Sequence, residues 1–142
     1  MKKMSLLLLF AVFGLVGCEK ETIILANNLP AEIQSYLSTH FPSNEVIQVI
    51  KDRDGLSLTY DVILQGNFML EFNRKKEVID IDGQSRLPDS VIPVKLLEFV
   101  QTNYSDNFIS NWEIEGKNQQ IQLDNGLELV FTMDGRFLKI DD

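Results

Sequence analysis

The chain contains an internal duplication, and this repeat constrains the fold more than any other feature of the sequence. Residues 29–41 (LPAEIQSYLSTHF) align with residues 92–104 (IPVKLLEFVQTNY), with a proline, two aromatic residues and a threonine at matching positions. In both segments apolar residues recur at helical spacing behind the proline, which is tolerated in the first turn of a helix. The sequence therefore predicts two short amphipathic helices, one in each copy.

Strand-like segments separated by turn signals follow each predicted helix. Turns are predicted at 52–55, 65–67 and 73–76 in the first copy, and at 115–118, 125–126 and 134–135 in the second. Turns this short join antiparallel strands, and Asn125-Gly126 is a strong hairpin signal. We therefore predict an α+β fold. Two tandem α-β-β-β-β repeats, residues 29–83 and 84–142, would form one curved antiparallel sheet of eight strands, with both helices on one face.

Alternation along the predicted strands assigns side chains to the two faces of this sheet. Leu70 and Phe72 are predicted to face the helices, as are Leu129 and Phe131. The opposite, open face is predicted to carry Asp61, Ile63, Met69, Glu71, Val78, Asp80, Val130, Phe137 and Lys139. Four of its apolar members, Met69, Val78, Val130 and Phe137, are the predicted partner-binding residues, with Phe137 as an aromatic anchor. The alternative for Phe137 is cover by a neighbouring loop or by the chain end.

The amino terminus has the organisation of an export signal. Lys2 and Lys3 precede an apolar run that is too short to span about 30 Å of hydrocarbon, and small residues follow it. Leu15-Val16-Gly17-Cys18 matches the bacterial lipobox, in which the cysteine is acylated and the chain is cut before it. We predict a signal peptide over 1–17, a lipid on Cys18 and a tether over 18–28, where 22–25 could form a short strand. Because Cys18 is the single cysteine, no structural disulfide is expected.

The charge of the chain limits its partners. The net charge is −8, and removal of Lys2 and Lys3 makes it still more negative. An acidic chain repels nucleic acids and anionic lipid surfaces, so no nucleic-acid partner is expected and membrane contact is assigned to the lipid. The basic run Arg74-Lys75-Lys76 is interpreted as a solvated turn.

No residue pattern in the sequence indicates catalysis or a bound cofactor. The single histidine, His40, ends the first helix, and Ser85, Ser90 and Ser105 lack a nucleophile-elbow context. The segments 52–55 and 80–83 resemble the start of a calcium loop but lack its further ligands, and no cysteine–histidine cluster suggests zinc. Trp112 is assigned to the core. We predict no catalytic residue, no metal ligand and no cofactor.

The repeated helix starts, the helix-plus-four-strand unit and the lipobox together resemble the PepSY-like, β-lactamase-inhibitor-like family over residues 29–142. The resemblance implies two tandem units, export in a Bacteroides-type bacterium, and protein binding or inhibition through the open sheet face. No inhibitory residue corresponds. The predicted protein is a non-enzymatic lipoprotein of the outer membrane, facing either side, that binds an exported enzyme or another envelope protein. The alternatives are a small-ligand or calcium-binding protein that uses the acidic turns, and, least favoured, a hydrolase.

Overall fold

The computed structural model describes residues 19–141, which form one antiparallel sheet of nine strands and two helices. The strands follow one another in space in chain order, and every neighbouring pair is antiparallel. The strands are β1 (Glu19–Ile24), β2 (Val46–Asp54), β3 (Ser57–Leu64), β4 (Phe68–Phe72), β5 (Val78–Gly83), β6 (Ile109–Glu115), β7 (Asn118–Leu123), β8 (Glu128–Thr132) and β9 (Phe137–Asp141). The predicted α+β class with one antiparallel sheet is confirmed.

Two helices of ten residues interrupt the sheet at equivalent points. Helix α1 (Ala31–His40) connects β1 to β2, and α2 (Val94–Asn103) connects β5 to β6. Pro30 and Pro93 stand at their N-caps, where the lack of an N–H costs nothing, as the aligned prolines predicted. A short 3-10 helix precedes each of them, at Ala26–Asn28 and Asp89–Val91. The order of helix and four strands therefore occurs twice.

The prediction of eight strands is wrong, because β1 adds a ninth. All six residues of β1 pair with β2, from Glu19 opposite Asp54 to Ile24 opposite Val49. The described part of the predicted 18–28 tether is therefore built into the sheet edge and the following 3-10 helix. The possible strand at 22–25 proves longer and begins earlier. The signal peptide and Cys18 lie outside the described residues.

Both helices pack on the same face of the sheet. Ile33 and Leu37 of α1, together with Leu96 and Val100 of α2, belong to one apolar cluster with the inward-facing strand residues. The ring centroid of Tyr36 lies 5.5 Å from that of Phe72, and in the second copy Phe99 lies 5.3 Å from Phe131. Both contacts are edge-on, a favourable geometry for aromatic pairs. The open face is the side of the sheet opposite these helices.

Trp112 belongs to this core, as predicted. Its side chain is buried, and its indole N–H donates to Gln119 Oε1 at 3.0 Å. The Gln119 amide in turn donates to the carbonyl of Thr132 at 3.0 Å. A buried polar group without a partner is costly, and this chain of hydrogen bonds satisfies the indole inside an apolar core.

Candidate functional site

The centre of the open face carries a line of four carboxylates, one from each of four consecutive strands. The cross-strand register places Asp61 opposite Glu71, Glu71 opposite Asp80, and Asp80 opposite Glu113. Directly opposed residues in a sheet have Cβ atoms only about 5 Å apart. We call Asp61, Glu71, Asp80 and Glu113 the acidic row.

Burial and repulsion from neighbouring carboxylates, inside and outside the row, raise the pKa of every member of the acidic row. The pKa of Asp80 rises to about 6, first through burial, then through the charges of Glu113, Asp82 and Glu71. A backbone hydrogen bond from Ile81 opposes this shift. The pKa values of Asp61 and Glu71 are raised by burial and then by neighbouring carboxylates, among them Asp52. Burial, followed by nearby acidic charges, also raises the pKa of Glu113.

No basic side chain compensates this charge within the described residues. The ion pairs in residues 19–141 are Arg86–Asp89 and Lys139–Asp141, and neither includes a member of the acidic row. One oxygen each of Asp52 and Asp80 is buried without a hydrogen-bond partner. Like charges placed side by side without a counter-charge destabilise a sheet, so this arrangement is costly for the folded protein.

Gln120 extends the acidic row by one strand. It stands opposite Glu113 on β7, and only 7% of its side chain is exposed. Its Oε1 oxygen has no hydrogen-bond partner. A buried amide oxygen without a donor is costly, so Gln120 adds a second unsatisfied acceptor at the end of the row.

Apolar side chains line one flank of the row. Ile63 and Met69 stand opposite each other one step along the strands, and Met69 is 52% exposed. Together with Asp61, Glu71 and Asp80 they line a shallow cavity of about 150 Å³. A surface with an apolar floor and an anionic rim matches a lysine or arginine side chain, whose aliphatic stem and charged head have different requirements.

Two of the four predicted partner-binding residues lie on the open face. Met69 lies there in the cavity just described. Val130 lies between Gln120 and Lys139 in the cross-strand register, outside the main core cluster, but only 4% of it is exposed. The open-face positions predicted for Asp61, Ile63, Glu71, Asp80 and Lys139 are also observed.

The prediction that Val78 and Phe137 lie on the open face is wrong, and a β-bulge in each repeat explains the error. The pairing shifts by one residue between Glu71 and Phe72, and again between Val130 and Phe131. These bulges place Val78 opposite Phe72 and Phe137 opposite Phe131, on the helix side. The Phe137 ring stacks on Phe99 at 4.8 Å and contacts Phe131 edge-on at 5.6 Å. Simple alternation from the turn could not reveal the extra residue.

Sequence reasoning missed Glu113 and Gln120 and did not recognise that the carboxylates form one row. The signal was present, because the phases of β3, β4 and β5 already placed Asp61, Glu71 and Asp80 on one face. What was lacking was the register between the two repeats, where β5 pairs with β6. The segment 80–83, considered as a possible calcium loop, is part of strand β5.

The single histidine makes a contact with a serine of the second repeat. His40 Nδ1 lies 2.9 Å from Ser90 Oγ, and the imidazole ring packs against Tyr36 at 4.4 Å. The pair is exposed and joins the end of α1 to the 3-10 helix before α2. Among residues 19–141 no three His, Cys, Asp or Glu side chains are grouped closely enough to hold a metal ion. None of the helices described in that range is long and apolar enough to cross a bilayer.

Known structures share this architecture. A periplasmic protein of the DUF2874 family from Bacteroides vulgatus, described as putative, is 31% identical, with a TM-score of 0.82 over 89% of this chain and all of that one. A "putative calcium-regulated periplasmic protein" from Bacteroides thetaiotaomicron is 26% identical, with a TM-score of 0.81 over 86% of this chain and 97% of its own. A third, from B. vulgatus and described as of unknown function, is 29% identical, with a TM-score of 0.80 over 87% of this chain and all of its own.

The descriptions of these neighbours as periplasmic agree with the predicted location in the cell envelope. No curated protein matches the chain at a significant level. The sequence model of the family described as "Putative beta-lactamase-inhibitor-like, PepSY-like" matches twice, over the overlapping segments 16–79 and 58–139. With nearly the whole chain covered by these matches, the protein belongs to the PepSY-like family.

Proposed function

We propose that this protein is a non-enzymatic binding module of the cell envelope, whose open sheet face binds a basic segment of an exported enzyme or another envelope protein. The observation that carries this proposal is the uncompensated acidic row. Four neighbouring carboxylates with raised pKa values and no basic partner within residues 19–141 destabilise the free protein. Unfavourable electrostatics of this kind are typical of functional sites, because a bound ligand can compensate the repulsion between the carboxylates.

The surface around the row favours a protein segment over a simple counter-ion. Met69 and Ile63 offer apolar contact beside Asp61 and Glu71, and Gln120 Oε1 is a free acceptor at the other end. A segment with a lysine or arginine flanked by apolar residues would match the exposed carboxylates and the apolar contact beside them. Charge complementarity of this kind accelerates association and selects partners. In this proposal Met69 is retained from the predicted set, and Phe137 and Val78 are not.

The lipid on Cys18 is part of the proposed function. The sequence around Cys18 favours acylation, and the periplasmic neighbours support an envelope location, with the outer membrane as the proposed site. Two or more acyl chains hold a protein stably at a bilayer. The partner must therefore reach the same membrane face. Mass analysis of the mature amino-terminal peptide tests this step, and an unmodified Cys18 would contradict it.

Capture of exported proteins from envelope extract tests the binding role of the row. The bait is the mature chain, compared with a Glu71→Gln/Asp80→Asn double variant. The matched control, Glu98→Gln/Asp106→Asn, removes the same charges at exposed positions on α2 and the following turn. We expect a partner whose capture weakens with salt, is lost with the row variant and is kept with the control. Equal capture by all three baits would refute the role of the acidic row.

Calcium binding on the same row is a second candidate, and it requires the row carboxylates to move closer together, because no three acidic side chains within residues 19–141 are grouped closely enough to hold an ion. The structural neighbour described as calcium-regulated favours it, and hard carboxylate oxygens are the ligands that calcium prefers. Calorimetric titration with calcium chloride and a melting curve with and without calcium distinguish this candidate from the first. A calcium-dependent melting shift that the Glu71→Gln/Asp80→Asn variant abolishes would support it. No shift at millimolar calcium, together with undisturbed capture in chelator, would leave the protein-binding role alone.

A further inference from the structure

One end of the sheet collects the features that a membrane-facing surface needs. Because all strands are antiparallel neighbours, the start of β1 and four turns lie at the same end. The turns are 55–56, 73–77, 116–117 and 133–136, which join β2 to β3, β4 to β5, β6 to β7 and β8 to β9. We call these turns, with the start of β1 and the two adjoining residues of each strand, the basal end.

Basic residues are concentrated at the basal end of an otherwise acidic protein. The sequence has 13 Lys and Arg residues, of which Lys2 and Lys3 precede Cys18. Seven of the remaining eleven lie at the basal end: Lys20, Arg53, Arg74, Lys75, Lys76, Lys117 and Arg136. Six acidic residues accompany them: Glu19, Asp54, Glu71, Glu77, Glu115 and Asp134. The basal end therefore carries seven basic residues against six acidic ones, while the rest of the chain after Cys18 has four basic residues against 15 acidic ones.

Two large exposed apolar side chains lie in the basal turns themselves, among these cations. Leu56 forms the tip of the β2–β3 turn and is 90% exposed, and Met133 in the β8–β9 turn is 51% exposed. Arg74 donates a hydrogen bond to the carbonyl of Leu56 at 3.4 Å, which brings the basic turn against the apolar tip. Arg53 and Arg74 line one shallow depression with Leu56. Apolar tips surrounded by Lys and Arg are typical of proteins that lie at a membrane interface.

The covalent chain brings the lipid site to this end. Glu19, the first residue of β1, pairs with Asp54 next to the Leu56 turn. Cys18 precedes Glu19 by a single peptide bond, and consecutive Cα atoms are about 3.8 Å apart. The acylated residue therefore has no flexible spacer between it and the sheet.

We propose that the basal end lies flat on an anionic phospholipid surface, with Leu56 at the interface and the basal Lys and Arg side chains on the lipid phosphates. This inference rests on the acylation of Cys18 proposed above. Here Arg74-Lys75-Lys76 contacts the membrane, whereas the sequence predicted a solvated turn. The strands then stand upright on the bilayer. Because Asp61 is five residues from Leu56 and Glu71 is three residues from Arg74, the acidic row stands about 10 to 15 Å above the surface and stays accessible from the side.

Site-specific fluorescence tests this orientation. Since an acylated Cys18 leaves no free thiol, Leu56→Cys introduces a unique labelling position, and Ser85→Cys is the matched control at the opposite end, just after β5. The full acylated chain is labelled with an environment-sensitive fluorophore. It is then reconstituted in vesicles of phosphatidylethanolamine and phosphatidylglycerol that contain a nitroxide-labelled lipid. We expect quenching at position 56 to exceed that at position 85 by about threefold or more.

A charge variant and a lipid change complete the test. Adding Arg74→Gln, Lys75→Gln and Lys76→Gln, or replacing phosphatidylglycerol with phosphatidylcholine, should reduce the quenching at position 56 while the protein still floats with the vesicles. Equal quenching at positions 56 and 85, or quenching at position 56 that does not change when the protein or lipid charge is altered, would overturn the proposed orientation. Neither result would contradict the proposed function of the acidic row. Loss of flotation in the unaltered chain would overturn the anchor and the orientation together.

Discussion

At the scale of single residues, the acidic row is where this protein departs most from what stability alone would select. Asp80 lies at its centre, flanked by Glu71 and Glu113 in the register and with one oxygen buried and unpaired. The ionised form of this carboxylate is disfavoured both by desolvation and by repulsion from neighbouring charges. Neutral side chains at these positions would avoid both costs. The presence of carboxylates at adjacent positions is therefore the residue-level argument for binding.

Replacing Asp80 with Asn should stabilise the free protein at neutral pH. The folded pKa of about 6 lies above the ordinary value of 3.8, so the folded protein disfavours the ionised form. This cost is fully present above the folded pKa and disappears as the pH falls below the ordinary value. We expect about 1 kcal/mol of added unfolding free energy at pH 7, allowing for solvent screening of a half-buried group, and no gain near pH 4.

Urea denaturation across this pH range measures the effect. Asp106→Asn, an exposed substitution with the same charge change, serves as the control and should leave the unfolding free energy nearly unchanged. An Asp80→Asn variant that is less stable than the unmodified protein at pH 7 would show that the carboxylate has a stabilising partner.

At the scale of elements, two bulges and one turn decide which side chains reach the core. The extra residue on β5 and the extra residue on β9 occupy equivalent places in the two repeats and reverse the alternation at the start of each strand. The β8–β9 turn is held against α2, since Lys95 Nζ donates to the carbonyl of Asp134 at 2.8 Å. These local features determine which side chains of the repeated strands pack against the helices.

Phe137→Ala should destabilise the fold, because the bulge turns this ring into the core. Phe137 stacks on Phe99 and contacts Phe131, so its removal leaves a partial cavity against α2. We expect a loss of about 2 kcal/mol in unfolding free energy, less than for a fully buried phenylalanine. Met69→Ala on the open face should cost about 0.5 kcal/mol or less. Thermal melts of both variants test the assignment, and equal melting temperatures would indicate that Phe137 is not part of the core.

Two glycines with the same backbone conformation provide a matched test of the β8–β9 turn. Gly126 has φ +84° and open space around its Cα, whereas Gly135 has φ +88° and a new Cβ there would lie 2.7 Å from Lys95 Cβ. Gly126→Ala should cost about 1 kcal/mol from backbone strain alone. Gly135→Ala should cost more, since the turn must also move away from α2. Denaturant unfolding compares them, and equal losses would mean that α2 and the turn do not pack closely.

At the scale of the whole molecule, the chain forms one continuous sheet whose surfaces differ in composition. One face carries two helices and the core, the opposite face carries the acidic row, and one end carries most of the basic residues. Because β1 is an edge strand that starts directly after Cys18, the proposed acylation of Cys18 would set the orientation of these surfaces relative to the membrane. A partner of the acidic row would approach from the side, parallel to the membrane.

Amide hydrogen exchange tests whether the amino-terminal segment is built into this sheet. About half of the amides of β1 point toward β2 in an antiparallel edge pair and should exchange slowly, whereas the amide of Leu56 in the exposed turn should exchange rapidly. Exchange at unprotected rates throughout residues 19–24 would restore the flexible tether predicted from the sequence, and the proposed membrane orientation would lose its basis.

The sequence by itself determined the repeat, the two helices and the alternating strands, because helical spacing, Pro30 and Pro93 and the Asn-Gly turn are local signals of local structure. It also placed most open-face residues correctly, since the side-chain alternation of a strand is a local property. Only the tertiary structure decided which strands are neighbours. The pairing of β1 with β2 and of β5 with β6, and the two bulges, depend on contacts between distant segments. Those contacts gathered Asp61, Glu71, Asp80 and Glu113 into one row and turned Phe137 inward.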